Sequence, residues 1–384
     1  MMKILKYSII SDINKGDVFI SDAINFIDKE TTQNIFTNED ILFKKFDLSG
    51  RLLYNKNNPS VHYKVKRKGR VMSFLTLKLK QAIFNIKDKK TIENQVKLHD
   101  CVFIGGGNLL MEKNGGDLFY RVLKISEIAK KFNKKVIIYG VGLGPFQFPY
   151  EKRLIKLINM VDSFSVRDIR NKEICENTKA YFNKKIGISL DPAFVIPDML
   201  DKVNLDNKYI GFNFMNYSNI VNNSQFNIDI VVSNISDIQK AHRLPIKIIN
   251  TSYGEDLSIS TLIKRKLEEL NIQCVIYNIQ DLEDLPLAFS DLKFFIASRM
   301  HSSIFSMSFG VPTLIYPWHP KIYNLQKMLF FENYKNTLLL SENFDSKEIL
   351  EKIDNYNSVI SLKEVLEKNK IDIYNDYKEL IKSI

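Results

Sequence analysis

The chain has 384 residues, of which 45% are hydrophobic and 26% charged, a balance that excludes a disordered polypeptide and leaves room for two ordinary domains. Its formal net charge of +11 favours an acidic partner, which would be nucleic acid, a membrane surface or an anionic substrate. The three cysteines show neither CxxC nor metal-like spacing, so the sequence predicts no disulfide framework, no metal site and a reducing compartment.

The chain begins with a short apolar stretch that we interpret as a first strand. The apolar part of residues 1–10 is too short for a signal peptide, and no small-residue cleavage site follows it. No run approaches the ~18 apolar residues that a membrane-spanning helix needs. We therefore expect a cytoplasmic protein.

Short apolar runs alternate with helical patterns along most of the chain. Because continuous apolar runs separated by helices are typical of parallel strands, the fold class is α/β, with two doubly wound Rossmann-like domains facing a cleft. We assign residues 1–200 to an N-terminal domain, 207–340 to a C-terminal domain and 341–384 to a helical tail. The predicted strands are Leu5–Ile10, Cys101–Ile104, Val136–Tyr139, Ser163–Val166, Tyr209–Phe214, Ile246–Ile249, Cys274–Tyr277, Leu292–Ala297 and Thr313–Tyr316.

Part of the basic excess is concentrated between Lys64 and Lys90, where ten lysines and arginines face the single acid Asp88. Apolar residues recur among them at helical spacing. Such a helix either lies on an anionic lipid surface or packs its apolar face on its own domain with its lysines solvated. Nucleic acid is the weaker alternative, since no recognisable binding module accompanies the charge, and we predict no nucleic-acid partner. The apolar positions are Met72, Leu75, Leu79, Ile83 and Ile86.

Two glycine-rich loops follow predicted strands, where ligands bind in open parallel sheets. They match neither GxGxxG nor a P-loop, so no nucleotide cofactor is indicated. Glycines there let the backbone approach a ligand or another segment closely. The residues that we assign to these cleft loops are Gly105, Gly106, Gly107, Asn108, Gly142 and Gly144.

Charged residues also follow strands in the first half of the chain. Asp17 precedes a helical pattern, where it is either an N-cap or a carboxylate base directed into the cleft. Arg167 and Asp168 follow another strand, where such a pair forms either a structural ion pair or part of a site.

The most distinctive motif places Arg299 and His301 at the start of a helical segment. An arginine, an imidazole and a helix N-terminus make a compact anion site. No Asp or Glu occurs from Ser298 to Phe331, which strengthens the prediction of an anionic ligand. Lys321, further along this window, either binds the anion or is solvated.

Taken in order, these motifs resemble the polysaccharide pyruvyltransferase family over roughly residues 5 to 330. The resemblance implies a fold like that of GT-B glycosyltransferases, phosphoenolpyruvate as donor, a sugar of a cell-surface polysaccharide as acceptor, and a pyruvate ketal as product. It places donor-binding roles on Arg167, Arg299 and His301, and Ser302 fits the small residue that follows the histidine. The matching segments are Asn14–Asp17, Gly105–Leu109, Gly140–Pro145, Ser165–Asp168, Asp191–Pro192, Arg299–His301, Gly310–Pro312 and Lys321.

The chemistry of ketal formation suits these residue types. Two arginines clamp the carboxylate and phosphate of the donor, with Ser302 and Lys321 completing the predicted donor site. His301 is the candidate acid and Asp17 the weaker candidate base, and no metal or cofactor is expected. The basic segment suggests a lipid-linked acceptor of a capsule or exopolysaccharide pathway, with the enzyme peripheral at the inner face of the cell membrane.

Two other functions remain open at this point. A nucleotide-sugar glycosyltransferase of GT-B type is disfavoured because no ribose-holding acid lies between Ser298 and Phe331. A non-catalytic scaffold of polysaccharide assembly is disfavoured by the presence of Arg167, Arg299 and His301 together.

Overall fold

The structure is a computed structural model. Its described residues are 1–10, 12, 14–41, 70–112, 116–146, 148–178, 180, 182–201, 205–215, 227–317, 322–325, 329, 338–341, 344–356 and 362–383.

The first sheet has six parallel strands in the order β2-β1-β3-β4-β5-β6. Its central strands are buried along nearly their whole length, which explains their continuous apolar sequences. Helices connect the strands on both faces, as a doubly wound fold requires. The strands are β1 (Lys3–Ser8), β2 (Ile35–Asp40), β3 (Cys101–Gly105), β4 (Lys135–Val141), β5 (Ser163–Val166) and β6 (Gly187–Ile188).

The second sheet has five parallel strands in the order β11-β10-β7-β8-β9. All nine predicted strands occur in the two sheets, with ends shifted by no more than two residues. The two-domain α/β fold class is thereby confirmed. The strands are β7 (Tyr209–Asn213), β8 (Ile246–Asn250), β9 (Cys274–Asn278), β10 (Leu292–Ala297) and β11 (Thr313–Ile315).

The described helices mostly begin just after a strand, so their N-termini gather at the carboxyl edges of the sheets. A π turn, Phe84–Asp88, joins two of them, and a 3₁₀ helix, Pro192–Met199, follows β6. The helices are α1 (Lys15–Thr31), α2 (Arg70–Ile83), α3 (Lys89–Leu98), α4 (Leu118–Lys131), α5 (Glu151–Met160), α6 (Ile169–Glu176), α7 (Ile228–His242), α8 (Tyr253–Glu269), α9 (Asp284–Phe289), α10 (Met300–Ser308), α11 (Ser346–Asp354) and α12 (Leu362–Lys382).

One hydrophobic core runs from the first sheet to the second. The 3₁₀ helix buries Ala193, Phe194, Val195 and Ile196 between the two halves, and the same cluster includes residues of both sheets. The last helix, α12, returns to the first half, where the Tyr377 hydroxyl donates a hydrogen bond to Asp28 at 2.9 Å. The relative placement of the two sheets therefore rests on buried apolar contacts.

In the part of the chain that the structure describes, no helix is both long and apolar enough to span a membrane.

Candidate active site

A cleft of about 640 Å³ lies where the loops beyond the strands of the two sheets meet. Both halves contribute, which fits the rule that open parallel sheets bind ligands beyond their carboxyl ends. The lining contains anionic and cationic side chains side by side. Its acidic, basic and histidine members are Asp17, Arg167, Asp168, Arg170, Glu255, Arg299 and His301.

The loop after β1 joins the two halves at the edge of this cleft. The Lys15 amide donates a hydrogen bond to the Thr251 carbonyl at 2.9 Å, and Asn14 forms an antiparallel bridge with Ser252. Asn14 occupies the N-cap position of α1, and its side-chain amide donates to Asp17 at 2.7 Å. Asp17 is thus not the cap but a first-turn carboxylate that lines the cleft.

Arg299 precedes α10 and is held by carboxylates of α8. Its Nε donates to Asp256 at 2.7 Å, and its Nη2 donates to Asp256 at 2.6 Å and to Glu255 at 2.7 Å. Burial acts to lower the pKa of Arg299, but these carboxylates outweigh it and raise the pKa above its ordinary value. Burial raises the pKa of Asp256 to about 6 against the effect of Arg299, so the pair is ionised at neutral pH.

The absence of acids from Ser298 to Phe331 in sequence does not produce an acid-free site. Glu255 and Asp256 bring negative charge to Arg299 from α8, the helix that follows β8. Residues far apart in the sequence meet where the strand-end loops of a parallel sheet converge. The sequence around Arg299 therefore does not show all the negative charge that lies near it in the structure.

His301, in the first turn of α10, lies beside a second buried carboxylate. Its Nε2 is 3.4 Å from Oδ2 of Asp191, and both side chains are buried. Asp191 also caps the 3₁₀ helix by accepting from the Ala193 amide at 3.0 Å. Burial opposes ionisation of Asp191, yet His301 and Arg167 outweigh it and lower the pKa of this carboxyl below its ordinary value.

Gly16 makes the approach of α1 to His301 sterically feasible. A Cβ added at Gly16 would overlap the imidazole ring of His301. Gly16 of the Asn14–Asp17 motif therefore allows the close contact between the two halves of the cleft.

Arg167, directly after β5, is the buried cleft cation whose charge is least committed to protein partners. Its side chain is only 7% exposed, and its Nε has no hydrogen-bond partner among the described residues. Asp168 does not pair with it, because the Asp168 carboxylate caps α6 and accepts two 2.8 Å hydrogen bonds from Asn171. The structural ion-pair alternative for Arg167 and Asp168 is therefore wrong.

The matching family model settles the classification: the polysaccharide pyruvyl transferase model covers residues 14–320. The chain belongs to this family. No curated relative matches the sequence. Similarity to solved structures is confined to the fold, since the identities are very low.

Three solved structures illustrate this shared architecture. UDP-GlcNAc 2-epimerase from Neisseria meningitidis bound to UDP-GlcNAc is similar at a TM-score of 0.54 and 11% identity, covering 100% of this chain and 99% of that one. The S. aureus MnaA–UDP co-structure is similar at 0.53 and 11%, covering 100% and 98%. The N-terminal domain of Candida albicans trehalose-6-phosphate phosphatase is similar at 0.52 and 9%, covering 99% and 96%. This pyruvyl transferase therefore has a GT-B fold.

The glycine loops of the pyruvyl transferase contribute less to the cleft lining than we expected. Asn108 and Gly144 line it, and the Asn108 amide donates to the Gly144 carbonyl at 2.7 Å. The remaining glycines of these loops do not line the cleft. Gly106 and Gly107 have φ values of +80° and +76°, and the loop packs on α1 at Ile20 and Asp17. The glycines that do not line the cleft are Gly105, Gly106, Gly107 and Gly142.

Gly142 leaves space for two side chains of the site. A Cβ at Gly142 would overlap the Asn108 amide oxygen and come within 3.0 Å of Nη2 of Arg167. This glycine therefore sets the position of the Arg167 guanidinium without itself facing the cleft.

One residue predicted to bind the donor has another placement, and a second is not described. Ser302 is fully buried, does not line the cleft and shares a 2.8 Å hydrogen bond with Thr251, which fixes α10 against the loop after β8. Lys321 lies outside the described residues, as do Trp318–Pro320.

Sequence reasoning missed the acidic partners of the two motif residues. The family resemblance includes Asp191 without giving it a role, and the sequence motifs do not include Glu255 and Asp256. A signal was present for the latter pair, because two acids in the first turn of a helix just after a buried strand fall at the ligand-binding edge. Among the described residues, no cluster of three His, Cys, Asp or Glu side chains is arranged to hold a metal ion.

Proposed function

We propose that this protein transfers the pyruvate unit of phosphoenolpyruvate onto a sugar of a cell-surface polysaccharide precursor and forms a pyruvate ketal. Membership of the pyruvyl transferase family supports the reaction class. The observation that carries the donor assignment is Arg167, a buried guanidinium in the cleft wall whose Nε has no protein partner among the described residues. Leaving such a donor unpaired is costly unless a ligand accepts from it.

In the proposed complex, Arg167 binds one anionic group of the donor through charge-assisted hydrogen bonds. Arg299 has a different role. Its Nε and Nη2 donate hydrogen bonds to Glu255 and Asp256, so only Nη1 is available to the donor. We therefore assign Arg167 as the main anion ligand and Arg299 as a rigid, oriented second contact, with Lys321 as a further cation.

The reaction needs a proton at the donor and a base at the acceptor. Protonation of the methylene carbon makes C2 of phosphoenolpyruvate an oxocarbenium centre, which one sugar hydroxyl attacks as it loses its proton. The C2–O bond to phosphate then breaks, inorganic phosphate leaves, and a second hydroxyl closes the ketal and releases its proton. We assign the donor proton to His301 and acceptance of the first hydroxyl proton to Asp17.

Asp191 supports the proposed role of His301. The buried Asp191 carboxylate lies 3.4 Å from Nε2 of His301 and so helps to set the position of the imidazole. Asp191 touches neither substrate in this scheme, so it is a positioning residue.

Ligand-dependent thermal unfolding tests the donor assignment. Phosphoenolpyruvate should raise the Tm of the wild-type protein and have little effect on Arg167→Gln, because a neutral amide cannot replace the guanidinium. A panel of UDP-sugars should leave both proteins unchanged. Stabilisation by a UDP-sugar with no response to phosphoenolpyruvate would instead establish a nucleotide-sugar enzyme.

A further inference from the structure

Helix α2 leaves an apolar face uncovered. Five side chains of this helix and of the π turn after it are between 48% and 79% exposed. Their spacing places them on one side of the helix, and large contiguous apolar surface is rare on a protein without a docking partner. We call these residues the apolar face of α2: Val71, Met72, Leu75, Leu79 and Ile86.

The opposite side of α2 fixes the helix on its own domain. Ser73, Leu77 and Phe84 are buried there, and the Phe74 ring contacts the Phe148 ring edge-on at 5.5 Å between centroids. The apolar face is therefore exposed because α2 packs on its own domain through the opposite side. Of the apolar positions predicted from the sequence, Met72, Leu75, Leu79 and Ile86 are exposed and Ile83 is half-buried, so the described residues leave most of the predicted face uncovered.

Cations flank the apolar face, and its one nearby acid is already paired. Lys78, Lys89 and Lys90 are exposed. Asp88, the only acid from 64 to 90, forms an ion pair with Arg121 at 3.1 Å. Four more lysines and arginines, at 64, 66, 67 and 68, precede the helix in sequence and lie outside the described residues.

We propose that the apolar face of α2 docks this protein on an anionic lipid surface. Its apolar side chains enter the boundary between headgroups and acyl chains, and the flanking lysines lie among the anionic headgroups. The charge pattern favours lipid over a second copy of the chain, because a two-fold contact through this face would bring lysines against lysines.

Docking through α2 places the cleft beside the lipid. Phe148, which contacts Phe74 of α2, lies in the segment that supplies Phe146 and Tyr150 to the cleft lining. The Phe146 and Tyr150 rings stack with centroids 3.9 Å apart, so the segment is a packed connection between helix and cleft. The idea that a lipid-linked acceptor enters the cleft from the membrane at this point rests on the proposed function. The docking of α2 on lipid does not.

Vesicle co-sedimentation of the full chain, without donor or acceptor, tests the docking. The protein should sediment with phosphatidylcholine vesicles that contain phosphatidylglycerol, less so at high salt, and not with phosphatidylcholine alone. The variant Leu75→Ser with Leu79→Ser should bind about tenfold more weakly or worse, and so should Lys89→Glu with Lys90→Glu. These side chains are exposed, so far-UV circular dichroism and Tm should stay those of the wild type.

Matched controls separate this face from the rest of the surface. Leu270→Ser with Leu287→Ser removes two similarly exposed leucines from the second half, and Lys363→Glu with Lys378→Glu makes the same charge change on α12. Both should bind like the wild type. Equal loss in test and control variants, or no preference for anionic vesicles, would overturn the proposal.

Two further outcomes would also overturn it. One is dimerisation in light scattering that the Leu75→Ser and Leu79→Ser changes abolish, which would make the face a self-association surface. The other is unaltered vesicle binding by both α2 variants. Failure of sedimentation leaves the transfer chemistry untouched, because turnover of a soluble acceptor with phosphoenolpyruvate is measured separately.

Discussion

Asp256 and Arg299 form a two-point ion pair at the wall of the cleft, with Nε and Nη2 of the arginine 2.7 and 2.6 Å from the two carboxylate oxygens. Both residues are buried; Asp256 lies in the helix after β8, and Arg299 lies between β10 and α10. The arginine of the most distinctive motif is therefore a structural element of the site as well as a candidate ligand.

The first prediction concerns this pair. Arg299→Ala should lower the free energy of unfolding by about 3–5 kcal/mol, because it leaves the Asp256 carboxylate buried without its partner. Chemical denaturation at neutral pH measures the loss. Reduced turnover of this single variant would therefore not demonstrate donor binding.

A double variant separates stability from chemistry. Arg299→Met with Asp256→Leu replaces both partners by apolar groups and should recover most of the stability lost in Arg299→Ala. It should still bind phosphoenolpyruvate weakly, because the Nη1 contact is gone. Wild-type donor affinity in the stable double variant would rule out any contact of Arg299 with the donor.

The second prediction concerns Arg167, which has no described ion pair to lose. Arg167→Gln should change the free energy of unfolding by less than about 1 kcal/mol. It should weaken binding of phosphoenolpyruvate about 10- to 100-fold, the loss expected for charge-assisted hydrogen bonds. Chemical denaturation checks the first value and calorimetric titration with phosphoenolpyruvate checks the second, side by side with the Arg299 variants. Unaltered affinity would remove Arg167 from the donor site.

The third prediction concerns the pH dependence contributed by Asp191. Its pKa is lowered, because His301 and Arg167 outweigh the opposing effect of burial, so its stabilising contribution is present above pH 3.8 and lost only as pH falls through the lowered value. Asp191→Asn removes this anion, so the variant should lose less stability than the wild type as the pH falls below 3.8.

Urea titrations of the wild type and Asp191→Asn at several acidic pH values measure this effect. A difference in the free energy of unfolding that stays constant as the pH falls would mean that the charge of Asp191 does not stabilise the fold. Asp17→Asn is the companion variant for the proposed chemistry, and it should lower kcat.

The fourth prediction concerns Lys6, a fully buried lysine in β1 far from the proposed chemistry. Its ammonium donates to the Ser21 carbonyl at 2.7 Å, to the Ser21 hydroxyl at 2.9 Å and to Asn25 at 2.7 Å. Burial lowers the pKa of Lys6 from 10.5 to about 7, with Asp22 and Asp28 opposing this. The unfolded chain therefore binds one more proton than the folded protein between these pH values.

Stability should accordingly rise with pH in this window. Relative to Lys6→Met, the wild-type free energy of unfolding should increase between pH 7 and 10.5 by at most about 1.4 kcal/mol per unit. Parallel urea titrations of the two proteins at several pH values check the slope. A constant difference over this range would show that Lys6 keeps its proton in the folded state.

The fold was predictable because most strands are buried on both faces and carry continuous apolar sequences. The exceptions are the two edge strands of the first sheet: β6, which has two residues, and β2, which pairs only with β1 and is half exposed. The last four residues of β2, Thr37–Asp40, are all polar, so its sequence resembles a turn. Edge strands have weak sequence signals because one side and one face lie in water.

The site was predictable to the extent that its residues follow strands. Arg167, Arg299, His301 and Asp17 come together in one cleft, as strand-end positions require. Their pairing was not predictable, because Asp256 lies 43 positions from Arg299 and reaches it only through the order of strands in the sheet. Pairing decides which arginine remains free, and only the three-dimensional arrangement supplies that information.

The central claim is ketal transfer from phosphoenolpyruvate, and mass spectrometry of products tests it most directly. Purified protein is incubated with phosphoenolpyruvate and a glycan precursor, with released inorganic phosphate measured in parallel. The account predicts a glycan carrying a pyruvate ketal and equal amounts of ketal and phosphate, with much less of both from Arg167→Gln. Phosphoenolpyruvate that binds tightly while every acceptor stays unmodified would contradict it, as would a product that still carries an open enolpyruvyl ether.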